Sequence, residues 1–179
     1  MKCSEYTSKE LNDTLMFVVN LLNENNIQNW FISYGTLLGI IRNNSCIDRD
    51  DDIDIIVHDI YYDKLKEILT KNNIQTTKDF GIGESKLIIK TNTTKDYCSI
   101  DFYMTTISQE GNFFDEWNNI LWSKCYGTDN KLIEYVWNNH KLYLPFNSEE
   151  KLIKKYGETW RTPMHNFKGD VPFKTYLVL

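Results

Sequence analysis

Between Asp48 and Val57 the chain reads Asp-Arg-Asp-Asp-Asp-Ile-Asp-Ile-Ile-Val, which crowds five carboxylates into seven residues. Charges this close repel one another, and burying any of them unpaired is costly. At its end the run alternates with isoleucine. On a strand, Asp52 and Asp54 share one face while Ile53 and Ile55 turn to the other, into a core. Two carboxylates two residues apart on a rigid strand form a ligand set for a hard divalent cation, whose charge offsets their repulsion. A second segment, Ser99-Ile-Asp101-Phe-Tyr103, sets a single acid between apolar neighbours and can bring a third carboxylate beside the first two.

Three kinds of chemistry compete for this run. A solvated acidic loop beside a strand is the plainest. A calcium loop is the second, since Asp48, Asp50, Asp52 and Asp59 fall on positions 1, 3, 5 and 12 of the EF-hand template. Against it, Ile53 stands where that loop needs glycine for its sharp turn, and the following residues read as strand. The third is a catalytic carboxylate cluster for metal-assisted phosphoryl chemistry. The upstream segment Tyr34-Gly-Thr-Leu-Leu-Gly39 favours the third, because it puts a Gly-Thr turn between a strand and a short helix. Exposed N–H groups at such a turn hold phosphate, and the Thr36 hydroxyl adds a donor.

The elements that must position these residues read as an α+β order with a small mixed sheet flanked by helices. Thr7-Ser-Lys-Glu10 is a capping box, and Leu11, Leu15, Val18, Val19 and Leu22 recur at helical spacing behind it. Residues 30–34 read as a buried strand, 35–42 as the turn and helix, 52–57 as the acidic strand and 61–71 as a helix. Strands are expected over 86–91 and 99–105, and an edge strand over 141–146. Asn147-Ser-Glu-Glu150 offers a second capping box for a helix to Tyr156, with Gly157 as its stop.

Composition narrows the function. At 179 residues one domain is expected, and a net charge of −5 with pI near 5.2 argues against a nucleic-acid binder. No apolar run is long enough for a membrane span and no secretory h-region opens the chain, so a cytoplasmic protein is expected. The four cysteines (Cys3, Cys46, Cys98, Cys125) form no CxxC pair, which fits a reducing compartment. His58, His140 and His165 are isolated, so histidine ligation of a metal is not expected.

Strand, Gly-Thr turn, Asp-x-Asp on the next strand and a further Asp on a later one resemble the nucleotidyltransferase (polymerase-β-like) superfamily. Within it, Tyr34-Gly-Thr-Leu-Leu-Gly-Ile-Ile-Arg42 followed by Asp50-Asp-Asp-Ile-Asp-Ile55 closely resembles the LicD family, which includes fukutin and fukutin-related protein. The tail is similar too, in Leu144-Pro-Phe146, Glu150-Lys-Leu-Ile-Lys-Lys-Tyr-Gly157, Trp160 and Thr162-Pro163. Two features depart from the family. Asp48-Arg49 replaces a common Pro-Trp before the acids, and the region between Asp-x-Asp and the tail is short.

The resemblance implies a nucleotidyltransferase core over about residues 30–105 with a C-terminal helical lobe over about 106–179. It implies a Mg²⁺-dependent (or Mn²⁺-dependent) transfer of a phospho-alcohol, phosphocholine-like or ribitol-phosphate-like, from a CDP-activated donor to a sugar or glycan hydroxyl. Carried onto this chain, Asp52 and Asp54 hold the metal, Asp101 completes the cluster, and Gly35 and Thr36 contact the donor phosphates. Nucleotidyl transfer from a nucleoside triphosphate uses the same residues, and a non-catalytic binding module is a further alternative.

Around this centre, Arg42 and Arg49 bracket the loop, and an arginine there can clamp a diphosphate or simply balance the acids. Lys86 and Lys90, on the strand expected near the site, can neutralise a leaving phosphate or remain surface lysines. Phe113, Phe114, Trp117, Trp122, Tyr126 and Trp137 suit a packing role, or cation–π binding of a quaternary ammonium.

Overall fold

The computed structural model describes residues 5–163 and 176–179; Cys3 and His165 lie outside them. Helix α1 (Ser8–Glu24) begins with the expected capping box. Glu10 N–H donates to Thr7 Oγ1 at 3.3 Å, and Thr7 N–H donates to Glu10 Oε2 at 2.8 Å. Its stripe of Leu11, Leu15, Val18, Val19 and Leu22 is wholly buried, each side chain contributing about 1.5–3 kcal/mol of transfer free energy.

Strand β1 (Trp30–Ile32) stops earlier than the apolar run, because Ser33 becomes the N-cap of α2 (Tyr34–Asn43). Gly35 and Thr36 therefore sit in the first helical turn, not in a turn ahead of the helix. Strand β2 (Ile53–His58) pairs antiparallel with β1 and parallel with β4 (Ile100–Ile107). Between them come a 3-10 turn (Asp59–Tyr61), helix α3 (Tyr62–Lys71) and β3 (Ile88–Lys90), which runs antiparallel to the first half of β4. β3 is shorter than expected and leaves Lys86 outside it.

A C-terminal helical lobe is expected from the resemblance, and here the structure differs. β5 (Phe113–Asp115), β6 (Ile120–Trp122) and β9 (Leu177–Val178) extend the same sheet in the order β1-β2-β4-β5-β6-β9, and β7 (Ile133–Trp137) and β8 (His140–Leu144) form a separate antiparallel pair. Among the described residues after Ile107 only α4 (Ser148–Tyr156) is an α-helix. Asn119, Asn130, Asn138, Asn139 and Asn147 all take positive φ, where asparagine is tolerated, and Asn119 and the Asn138-Asn139 pair reverse the chain between antiparallel strands. The second capping box does not form either. Asn147 sits at φ 54, outside the extended region a capping residue needs, and makes no side-chain cap.

Phe113, Trp122 and Trp137 are at most 1% exposed, and Phe31 meets Phe113 and Trp122 edge-on at 5.2 and 5.4 Å. This part of the aromatic set is core. No helix among the described residues is long and apolar enough to cross a membrane.

The α2-to-loop junction depends on Gly39. A Cβ there would stand 2.6 Å from the Ser45 carbonyl oxygen and 3.0 Å from the Ile47 nitrogen, both backbone atoms that cannot swing away. Gly39→Ala is expected to destabilise the fold by about 1–3 kcal/mol, read as a fall in the urea midpoint without a change in slope. An unchanged midpoint would show that the loop yields freely.

Candidate active site

In the parallel pair β2–β4, Asp54 stands opposite Asp101, and in the antiparallel pair β3–β4, Lys90 stands opposite the same Asp101. Three registered positions thus form a row across three strands with their side chains on one face. Asp54 is 7% and Asp101 6% exposed. Lys90 Nζ lies 2.8 and 2.9 Å from the two oxygens of Asp101 and 3.1 Å from Asp52 Oδ2, joining the acid that precedes β2 to the acid on β4.

Asp54 is fixed from the other side by α2. Gly35 N–H, in the first turn, donates to Asp54 Oδ2 at 3.0 Å, and Asp54 N–H donates to Thr36 Oγ1 at 2.9 Å. A carboxylate at a helix N-terminus is favoured by the helix dipole. Tyr103, two residues beyond Asp101 on the same face, donates its hydroxyl to Asp54 Oδ1 at 3.1 Å. Gly35 also permits the close approach of the loop, since a Cβ there would stand 2.5 Å from Asp50 Oδ2. The Gly-Thr pair thus orients Asp54, with the Gly35 N–H already engaged.

Behind Tyr103, the Tyr34 hydroxyl donates to Asp115 Oδ2, which also accepts from Asn118 Nδ2 at 2.8 Å. Asp115 is fully buried. Sequence reasoning missed both Tyr103 and Asp115. Tyr103 had a local signal, its i+2 spacing from Asp101 on one strand face. Asp115 had none, because it reaches Tyr34 across 81 residues of chain.

Of these groups Gly35, Asp52, Asp54 and Tyr103, with Asp50, line a cleft of about 1380 Å³ whose other walls include Arg42, Arg49, Tyr156 and Trp160. Arg42 Nη1 donates to the Trp160 carbonyl at 3.5 Å. Lys86 is not brought to this cleft. It lies over the Tyr62 ring, 5.8 Å from its centroid, and lines a smaller cavity with Asp59 and Met104. The calcium-loop alternative fails on the same geometry. β2 runs through the middle of the twelve residues, separating Asp59 from Asp48, which accepts a hydrogen bond from Ser8 N–H at the start of α1.

Charge in the site is under strain. Burial pushes Asp50 up to about 6 and Asp52 up to about 7, with Asp101 adding to the rise of Asp52 and Lys90 opposing it. Asp54 is held well above the usual carboxylate range by burial and then by Asp52, Asp101 and Asp50. Asp101 is raised by burial against the pull of Lys90. For Lys90 burial acts downward, but Asp101 and Asp52 outweigh it and the net shift is upward.

The residues fit a divalent cation. Asp50, Asp51 and Asp52 each present an oxygen within 4.8 Å of the others, and Lys90 already brings positive charge to the oxygens of Asp52 and Asp101. Of the expected Asp52, Asp54 and Asp101, Asp52 belongs to this convergent group, Asp101 shares Lys90 Nζ with it, and Asp54 stands opposite Asp101. Asp54 is turned toward Gly35 and Tyr103, while the loop adds Asp50 and Asp51.

Residues 26–154, well over half of the chain, match the sequence model of the LicD/FKTN/FKRP nucleotidyltransferase domain. The chain belongs to this family. No curated protein matches it by sequence. Among solved structures, the LicD-family chain is similar to the lincosamide antibiotic adenylyltransferase LnuA in its lincomycin-bound form, with TM-score 0.56 and 12% identity over 83% of this chain and 86% of that one. It is also similar to the antibiotic-resistance factor ANT(2'')-Ia in solution, with TM-score 0.50 and 12% identity over 76% of this chain and 66% of that one. The fold is that of a nucleotidyltransferase.

A pH dependence follows for this LicD-family site. The folded-state values of Asp50 and Asp52 lie above the ordinary 3.8, so these groups contribute stability that is complete below pH 3.8 and is lost as pH rises through about 6 and 7. In chelator the Tm is expected to be lower at about pH 7.5 than at about pH 5, and added Mg²⁺ is expected to raise it more at the higher pH. A chelated Tm that climbs across this interval would contradict the assignment.

Proposed function

We propose that the protein is a Mg²⁺-dependent or Mn²⁺-dependent transferase. In this reading it moves a phospho-alcohol, phosphocholine-like or ribitol-phosphate-like, from a CDP-activated donor to a sugar or glycan hydroxyl. The observation that carries the reading is the registered row Asp54–Asp101–Lys90, with Asp52 tied into it, whose members Asp52 and Asp54 line a cleft of about 1380 Å³ in a LicD-family chain. That volume exceeds the ~300–1,000 Å³ of a typical small-molecule site and suits a nucleotide-linked donor beside an acceptor. The buried free thiols Cys46, Cys98 and Cys125 fit a cytoplasmic setting.

Asp52, Asp54 and Asp101 would hold the cation, with Asp50 beside them. When bound, it supplies positive charge to the donor phosphate oxygens and the leaving nucleotide. Gly35 N–H and the Tyr103 hydroxyl keep the Asp54 carboxylate from turning away, so the site is organised before substrate arrives. Asp101 takes the proton of the acceptor hydroxyl. Arg42, on the wall, meets the donor diphosphate.

A second reading is nucleotidyl transfer from a nucleoside triphosphate. It is favoured by the fold shared with LnuA, which is described as an adenylyltransferase. The products separate the two. Release of CMP from a CDP-alcohol supports the first reading, and release of pyrophosphate supports the second. A non-catalytic module would produce neither and would bind no Mg²⁺ or Mn²⁺ at millimolar concentration.

Asp54→Asn keeps an oxygen for Gly35 N–H and is expected to fold normally while losing turnover. Asp101→Asn is expected to lower kcat about 10²–10⁴-fold, the range of general-base catalysis. Both are read by CMP release against thermal melts of each variant. Full turnover by folded Asp54→Asn would refute the site.

A further inference from the structure

Helix α4 turns Lys151 and Lys155, four residues apart, onto one face. Lys151 is 5% exposed and donates to the Ser123 carbonyl at 2.7 Å. Lys155 is half-buried too, but its ammonium forms no ion pair and no hydrogen bond among the described residues. It lies over the Tyr34 ring at 4.9 Å and near the Tyr156 ring at 5.8 Å. An ammonium carries three donors, and an aromatic face offsets only part of what burial removes from them.

The surroundings of Lys155 lead directly to the acids. Tyr34 is held by Asp115 through its hydroxyl, and its ring meets Tyr103 edge-on at 5.0 Å. Tyr103 in turn donates to Asp54. Burial draws the Lys155 pKa below its usual value, against the opposing fields of Asp54 and Asp115. A donor phosphate entering this cleft meets carboxylates on the floor and needs cations on the walls. Lys90 is committed to Asp52 and Asp101, Arg42 shares Nη1 with the Trp160 carbonyl, and Arg49 lines the cleft from within the acidic loop. On the opposite element, Lys155 stands against Tyr34 and the cleft-lining Tyr156 with its donors uncommitted.

We propose that Lys155 is a phosphate-binding residue, its ammonium receiving the phosphate oxygens of a nucleotide-linked diphosphate lying over Asp54. The inference rests on the reading of this cleft as one that takes a nucleotide-linked donor. The Tyr34 ring holds the side chain in place beforehand, so little rotamer freedom is lost on binding.

Calorimetric titration with Mg²⁺ tests it, using CDP and inorganic pyrophosphate as probes on wild type, Lys155→Met and Lys155→Arg. Methionine keeps an unbranched apolar stem against Tyr34 and removes the charge, and thermal melts confirm that each variant folds. Lys155→Met is expected to weaken both probes about ten- to hundredfold, as loss of a charge-assisted hydrogen bond does, with Lys155→Arg recovering most of it. Cytidine, which carries no phosphate, is expected to bind wild type and Lys155→Met alike. Equal affinity of wild type and Lys155→Met for both phosphate probes would overturn the role of Lys155 and leave the transferase reading standing. A loss as large for cytidine as for CDP would overturn it as a general disturbance of the cleft. Failure of wild type to bind either phosphate probe would overturn the transferase reading and this inference together.

Discussion

Repulsion among the carboxylates of β2 and β4 governs how the rest of the chain is arranged. Side chains opposite one another on neighbouring strands stand about 5 Å apart, and two unit charges at that distance repel by roughly 3 kcal/mol at an effective dielectric near 20. That is a sizeable part of the ~5–15 kcal/mol by which a domain is stable. Asp54 and Asp101 occupy such a pair, nearly buried, with Asp52 close by. Lys90 answers it from β3, in register with Asp101 and bonded to Asp52 as well. Even so, the acids remain raised in pKa, which leaves a standing attraction for further positive charge.

Helix α2 answers it from the other side. Its first turn aims the Gly35 N–H at Asp54, and Thr36 closes a second bond to the Asp54 backbone. The absence of a side chain at Gly35 lets Asp50 come to the same place. Tyr34, at the start of the helix, has φ 42, a costly angle for an aromatic residue, and its hydroxyl bond to buried Asp115 helps to hold it there. Aromatic packing of Tyr34 on Tyr103 and Trp122 ties this corner to the main core.

The C-terminal segment supplies the remaining wall. Helix α4 is anchored by Lys151 on the Ser123 carbonyl and by Leu152, which is 2% exposed, while Trp160 is 5% exposed beyond it. Tyr156 and Trp160 thereby face the acids across the cleft. The same helix face that docks the segment carries Lys155 toward Tyr34. Attachment of the wall and its chemistry are one feature of the helix.

Local pattern was enough to determine several parts of this protein. The capping box and apolar spacing place α1, the Asp/Ile alternation places the acidic strand, and Gly-Thr with Asp-x-Asp points to the family. Each of these is written in residues adjacent in sequence, where propensity and periodicity act. Tertiary structure decided what depends on strands meeting from far apart. Lys86 and Lys90 look equivalent along the chain, yet β3 begins at Ile88, so Lys90 registers with Asp101 while Lys86 falls outside the strand onto Tyr62. The Gly35 N–H reads as a phosphate donor until β2 docks and Asp54 takes it. The C-terminal third has no clear periodicity, because its short strands are stabilised by neighbours they acquire only on folding. Asp115 and Lys155 meet Tyr34 from 81 and 121 positions further along the chain, a proximity that only packing creates.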